Sequence, residues 1–197
     1  MPQLQVKSKT LLAKYNELDA AWAHCTACEF GVWANKKCHC RGMLPADLLF
    51  VGEGPGKTED ALGFPFVGLA GTRVLQRWIE RLREARPGLR WAAINLLACR
   101  PCEFLGGPNV APPGEAVENC REHFLALLRM AKPVAVVLLG KNPQTAWATY
   151  FRELPAMKVL DLYHPSFVLR NGGEKSTVFE QELDKLVAFA SRQIKRR

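Results

Sequence analysis

Asp47-Leu48-Leu49-Phe50-Val51-Gly52-Glu53-Gly54-Pro55-Gly56 decides the fold. An unbroken apolar run enters a turn made of three glycines and a proline. A short run of that kind, bounded by such a turn, reads as a strand buried on both faces. Three more runs repeat the pattern: Trp91 to Leu96, Val134 to Leu139 and Met157 to Leu162. Helical periodicity fills the intervals. Gly71 to Arg86 carries Val74, Leu75, Trp78, Ile79 and Leu82, and Pro113 to Met130 carries Val117, Cys120, Phe124, Leu127 and Leu128. Lys141 to Phe151 is a shorter helix, and a last one is expected from about Glu174 to Ile194. Strands alternating with helices imply an α/β sandwich around a mostly parallel sheet of four strands. In such folds ligands bind beyond the carboxyl ends of the strands, so the loops after Val51, Asn95, Leu139 and Leu162 are the informative ones.

Outward from this centre, the chain of 197 residues fits a single domain, residues 1–197, with an N-terminal helix and a cysteine-bearing segment at about 1–45. Leu11, Leu12, Tyr15, Leu18, Ala21 and Trp22 recur at helical spacing in that first segment. It lacks the apolar run of a signal peptide, and no window long enough to span a membrane is free of charge. A monomer in a reducing cytoplasm is expected. Seven cysteines there argue for metal or cluster ligation over a disulfide framework. The net charge of +8 favours a polyanionic partner, nucleic acid first. The tail from Arg192 to Arg197 adds to that charge, or is simply a solvated helix end.

The loops after the strands carry the candidate chemistry. Gly52 to Asp60 exposes backbone amides in a tight turn able to approach a ligand or hold an anion. Gly56-Lys57-Thr58 looks like the end of a P-loop, but the loop from Gly52 is one residue short. The dinucleotide fingerprint fails too, because its third glycine would fall at Lys57. Next, Gly63-Phe64-Pro65-Phe66-Val67-Gly68-Leu69-Ala70-Gly71 places two aromatics before a helix, to stack on a flat ligand or to plug the core. Asn95 closes the second strand. Its side chain can donate and accept at once, which suits an amide-like base edge, although an Asn closing a turn is commoner. His164, before Pro165 and Ser166 at the end of the fourth strand, is an acid or anion stabiliser if it is not structural.

Each signal alone is weak; their order is specific. Gly52-Glu53-Gly54-Pro55-Gly56 with Glu59-Asp60, then Pro65-Phe66-Val67-Gly68 with Ala70-Gly71, then Asn95 with Cys99-Arg100-Pro101, then His164-Pro165-Ser166, resembles the family 4, iron–sulfur-containing uracil-DNA glycosylases over about residues 22 to 172. The resemblance implies a three-layer α/β/α sandwich with a four-stranded sheet. It also implies hydrolysis of the N-glycosidic bond of a flipped-out uracil in DNA, leaving an abasic site.

By that resemblance His164 stabilises the departing base, and Glu53 orients base or water. Gly52, Gly54, Glu59, Phe66 and Asn95 surround the base, with Phe66 stacking on it, Asn95 reading its amide edge and Glu59 near its C5. Ser166 and Arg170 hold phosphates, and Leu169 wedges into the gap left by the flipped base. Cys25, Cys28, Cys99 and Cys120 match the ligands of a four-iron, four-sulfur cluster. Cys38, Cys40 and Cys102 are extra. Cys102 makes a second Cys-x-x-Cys with Cys99, which leaves open a zinc site from Cys25, Cys28, Cys99 and Cys102, or Cys102 in place of Cys120. The gap of roughly 70 residues between the pairs, against 15–20 in a zinc ribbon, favours the cluster. A glycosylase for a modified pyrimidine and a non-catalytic, cluster-bearing DNA binder remain as alternatives.

Overall fold

The computed structural model describes residues 4–151, 154 and 157–195; Arg196 and Arg197 of the basic tail lie outside them. The described strands are β1 (Leu4–Val6), β2 (Arg41–Leu44), β3 (Leu48–Gly52), β4 (Trp91–Asn95), β5 (Ala135–Leu139) and β6 (Lys158–Leu162). They form one sheet in the order β1-β2-β4-β3-β5-β6. All neighbours are parallel except β2 and β4, which pair antiparallel with Arg41 opposite Ala93. The four expected strands are the four at β4-β3-β5-β6, each within a residue of its expected bounds. The expected four-stranded sheet is corrected to six. Arg-Gly-Met-Leu in β2 holds a charge and a glycine, and β1 has three residues of mixed exposure. Neither presents the apolar run by which buried strands are recognised.

Alternation along the strands divides the core. Leu49, Val51, Ala92, Ile94, Val136 and Leu138 face one layer, with Phe124, Leu127 and Leu128. Leu48, Phe50, Ala93, Val137 and Leu139 face the other, with Trp78, Ile79, Leu82, Phe179 and Leu183. Side chains a residue apart point to opposite faces, so a strand apolar at every position is coated on both sides. This is the three-layer α/β/α sandwich.

The helices are α1 (Lys9–Trp22), α2 (Glu29–Trp33), α3 (Lys57–Leu62), α4 (Gln76–Ala85), α5 (Gly114–Asn119), α6 (Arg121–Ala131), α7 (Lys141–Tyr150), α8 (Pro165–Arg170) and α9 (Thr177–Gln193). Three expected helices change shape. The pattern from Gly71 opens with a π turn, Gly71–Leu75, before α4. The pattern from Pro113 breaks at Cys120 into α5 and α6. The last helix starts at Thr177, because Gly173–Lys175 forms a 3₁₀ turn and the Ser176 hydroxyl accepts the Phe179 N–H at 3.1 Å as N-cap. Cys102 and Asn109 join across the Gly/Pro-rich loop in an isolated bridge.

Candidate active site

Parallel pairing in register sets Gly52 beside Asn95 at the carboxyl ends of β3 and β4. The loops leaving β3, β4 and β6 enclose a cavity of about 220 Å³. Gly54, Glu59, Phe66, Asn95, Asn109 and His164 are in its wall.

Asn95 is 3% exposed, and among the described residues nothing pairs with its side-chain amide. A buried amide without a partner is costly unless a ligand or water completes it. Gly52 makes room: a Cβ there would collide with both the Asn95 Oδ1 and the ring of Phe66. Phe66 is buried, packs into the core and also lines the cavity. Its backbone is left-handed, φ 57°, a conformation that costs a non-glycine residue free energy. Gly71 lets the chain close over it, since a Cβ there would strike the Phe66 carbonyl.

Glu59 ties the two glycine loops together. Its Oε1 accepts the Gly68 N–H at 2.6 Å, and Gly56 and Gly68 both lie so close to the carboxylate that a Cβ at either would crowd it. Gly54 packs on Pro101, where a Cβ would come within 2.8 Å of the proline Cδ.

His164 caps α8. Its Nδ1 accepts the Ser166 N–H at 3.2 Å and lies 2.7 Å from the Ser166 hydroxyl. An Nδ1 that accepts a backbone N–H carries no proton, so the neutral ring keeps its proton on Nε2. Burial, with the Arg170 charge adding to it, lowers the ring's pKa to about 4. His164 is therefore a neutral N–H donor near pH 7. Its ring centroid is 6.3 Å from that of Phe66.

Not every expected site residue joins this cavity. Ser166 lines it, but Glu53 does not; the Glu53 Oε2 accepts the Asn142 Nδ2–H at 2.7 Å, and burial raises its pKa against that bond. Leu169 is half-buried and lines a separate basic cleft with Arg73, Arg77 and Lys175. Arg170 is exposed. The exposed apolar groups flanking His164 are Tyr163 and Phe167, whose rings stack at 4.7 Å. Sequence reasoning missed Asn109. Its Oδ1 accepts the Arg100 Nε–H at 2.6 Å, and its Nδ2 donates to the Pro55 carbonyl at 3.2 Å. Its one signal was an amide in the loop following a strand end. It also missed Arg41, a lone charge in an otherwise apolar stretch.

The cysteines gather on the opposite-facing core. Cys25 precedes α2, Cys28 is its N-cap, Cys99 follows β4, and Cys120 sits at the break between α5 and α6. Gly31 packs against the Cys25 carbonyl, and the Asn119 Nδ2 donates to the Ala27 carbonyl, so the Cys-x-x-Cys turn is tied to α5. Cys99 lies within electrostatic reach of Cys120, Cys28 and Cys25, and Cys120 of Cys28 and Cys25. As bare thiols both are pushed up by burial, Cys99 to about 12 and Cys120 to about 11, while Lys37 and, at Cys120, the Ala98 N–H oppose this. Thiols gathered beside a cation and an amide donor fit a soft, thiolate-binding group. Among the described residues no three Cys, His, Asp or Glu side chains are already gathered around a point where a metal ion could sit, so the thiols close in only around whatever group they bind.

The cavity at the carboxyl edge of the parallel sheet thus brings together the unpaired Asn95 amide, the Phe66 ring and the neutral His164. Residues 41–187 match the Uracil DNA glycosylase superfamily. Over 185 residues the chain is 30% identical to a type-4 uracil-DNA glycosylase of Thermotoga maritima, covering 86% of this chain and 91% of the relative. Over 149 residues it is 36% identical to a type-4 uracil-DNA glycosylase of Archaeoglobus fulgidus, covering 65% of this chain and 69% of that one. The chain belongs to the uracil-DNA glycosylase superfamily and, within it, to the type-4 family.

Proposed function

We propose that this protein is a monofunctional uracil-DNA glycosylase of base-excision repair: it hydrolyses the bond between uracil and deoxyribose in DNA and leaves an abasic site. The observation that carries the reading is the buried, unpartnered Asn95 amide opening on one cavity with Phe66 and the neutral His164. Uracil inside a duplex is out of reach, so the nucleotide must rotate into the cavity. There the Phe66 ring supports the base face, and the Asn95 amide pairs with the alternating carbonyl and N–H of its edge. As the C1′–N1 bond breaks, its electron pair leaves with the base and the sugar becomes oxocarbenium-like. Nε2–H of His164 donates to the base oxygen on which that charge collects. A donor already oriented needs no reorganisation at that moment, and a neutral donor spends no charge on the ground state. Water then adds to C1′ and its proton goes to neutralise the departed uracil anion; we assign the water's orientation to Glu53, held by Asn142.

DNA contacts are assigned to Ser166, Arg170 and Leu169, and the exposed Tyr163 and Phe167 add apolar surface beside them. Cys25, Cys28, Cys99 and Cys120 would hold a four-iron, four-sulfur cluster, which when bound supplies a polynuclear crosslink between the N-terminal segment and the sheet. We assign the protein to the cytoplasm as a monomer. The test is incubation with uracil-containing oligonucleotides followed by alkaline cleavage, beside oligonucleotides carrying thymine and modified pyrimidines. Strand breaks at uracil alone are expected; breaks only at another pyrimidine, or none, would overturn the reading.

A further inference from the structure

Arg41 is 1% exposed, yet it carries a full charge into the core from the short strand β2. Its Nη1 donates to the Phe66 carbonyl at 2.6 Å, and its Nη2 to the Gln76 Oε1 at 2.6 Å. The guanidinium carbon lies 5.4 Å from the Trp91 ring centroid, a cation–π distance, and the Glu59 carboxylate offsets part of the cost of burial, which still lowers the guanidinium's pKa. A buried guanidinium is justified when its fork meets fixed acceptors in one plane. One of those acceptors is the carbonyl of the residue held in the left-handed region at φ 57°.

The same turn is tied two residues on, where Glu59 takes the Gly68 N–H. A cation thus holds the carbonyl of Phe66 and an anion holds the amide of Gly68. The residue between the glycine-rich turn and the π turn is pinned on both sides. Such backbone persists only where its surroundings over-determine it. If the peptide relaxed toward ordinary φ, the ring would swing from the space that Gly52 leaves open next to Asn95.

We infer that Arg41 is a positioning residue for the excision reaction, locking Phe66 in the backbone conformation that presents its ring to the base. The inference rests on the reading of Phe66 as the stacking residue. Arg41 itself touches neither base nor sugar; it acts through the carbonyl of Phe66.

The test is a double-mutant cycle on the intact protein, with thermal midpoint and iron content confirming each variant is folded. Arg41→Met, Phe66→Ala and the pair are compared in single-turnover excision, in affinity for abasic DNA, and in inhibition by free uracil. Phe66→Ala should slow excision roughly tenfold or more, the size of one lost base–aromatic stack. Arg41→Met should lose a comparable factor, weaken uracil inhibition and leave abasic-DNA affinity unchanged, and the double variant should be no slower than Phe66→Ala. Arg41→Lys, which keeps one donor and the charge, should recover part of the rate. Should Arg41→Met not fold, Gln76→Leu removes the second anchor of the guanidinium and should slow the parent but not Phe66→Ala. Losses that multiply, in either cycle, would overturn the inference by making Arg41 a matter of general stability. A wild-type rate for Arg41→Met beside a slow Phe66→Ala overturns it alone. A wild-type rate for Phe66→Ala overturns the stacking reading with it.

Discussion

At the scale of the residue, the proposed mechanism separates groups that act on the transition state from groups that read the base. His164 is the first kind. Its donor atom, Nε2, is fixed by the bond that Ser166 makes to the other nitrogen, and burial keeps the ring neutral. His164→Ala should keep the fold and most DNA affinity, because charge on the leaving base exists only as the bond breaks. Excision should fall on the order of a hundredfold, the usual loss for one oxyanion-type donor. Asn95→Ala should lose rate and discrimination together, since its amide meets the base before any bond breaks. Single-turnover rates beside equilibrium binding to one uracil oligonucleotide distinguish the two. Wild-type excision by His164→Ala, or failure only through unfolding, would make that histidine structural. Both residues were legible in the sequence because they stand at strand ends, where the parallel-sheet rule directs attention. Arg41 and Asn109 were not legible, because each works through contacts made by segments distant in the chain: Arg41 with Phe66 and Gln76, Asn109 with Pro55.

At the scale of the element, what could be read was what local pattern encodes. The four parallel strands announced themselves by short apolar runs, two of them ending directly in Gly52 and Gly140, although β6, exposed at Lys158 and Asp161, proves an edge strand and not one buried on both faces. β2 escaped because its buried arginine is satisfied by acceptors outside the strand, and β1 because three residues carry no period. The break at Cys120 escaped for a related reason: Val117, Cys120, Phe124 and Leu128 keep helical spacing across it. At the break the Cys120 thiol lies within electrostatic reach of Cys25, Cys28 and Cys99. In the proposed cluster, the stretch around α2 would be anchored through Cys25 and Cys28. α2 has five residues, too few to persist without tertiary support, and it follows directly on Cys28. Protein purified without oxygen should contain iron, and Cys25→Ser or Cys28→Ser should lower both iron content and thermal midpoint, because ligation and folding are coupled. Cys38→Ser should change either little. The Cys38 Sγ donates to the Glu59 carbonyl at 3.2 Å, a bond a serine hydroxyl can replace. Stoichiometric zinc without iron would refute the cluster assignment.

At the scale of the whole molecule, charge and pH act on all of these elements at once. The net charge of +8 implies that DNA affinity contains a large counterion-release part, so it should fall steeply with salt. Arg170→Ala should flatten that slope by about one phosphate contact for every sequence alike; an affinity indifferent to salt would remove the surface charge from the account. Acid should unfold the protein through its buried histidines. His123 is fully buried, and burial, with the neighbouring His39 adding to it, lowers its pKa to about 3; burial lowers His39 too, against the Asp19 carboxylate 3.0 Å from its Nε2, and His39 Nδ1 lies 2.6 Å from His123 Nε2. His164 is lowered to about 4. In the unfolded chain each would titrate near 6.5. The unfolded state therefore binds more protons below that pH, and native stability must fall as pH drops from 6.5 toward the folded values. Glu53 shifts the other way, since burial raises its pKa, and it offsets part of the loss only where carboxylates titrate. Between pH 7.5 and 5.5 the carboxylates stay mostly ionised while His123 and His164 should each remove roughly 1.4 kcal/mol, an appreciable part of an ordinary domain's stability. Urea unfolding at the two pH values measures this directly. His123→Gln keeps an N–H for His39 Nδ1 but cannot titrate, so its stability should depend less on pH by about one histidine's share. An unchanged dependence in that variant would show that His123 charges freely in the folded protein, and that its burial in the core beside Trp22 does not hold it neutral.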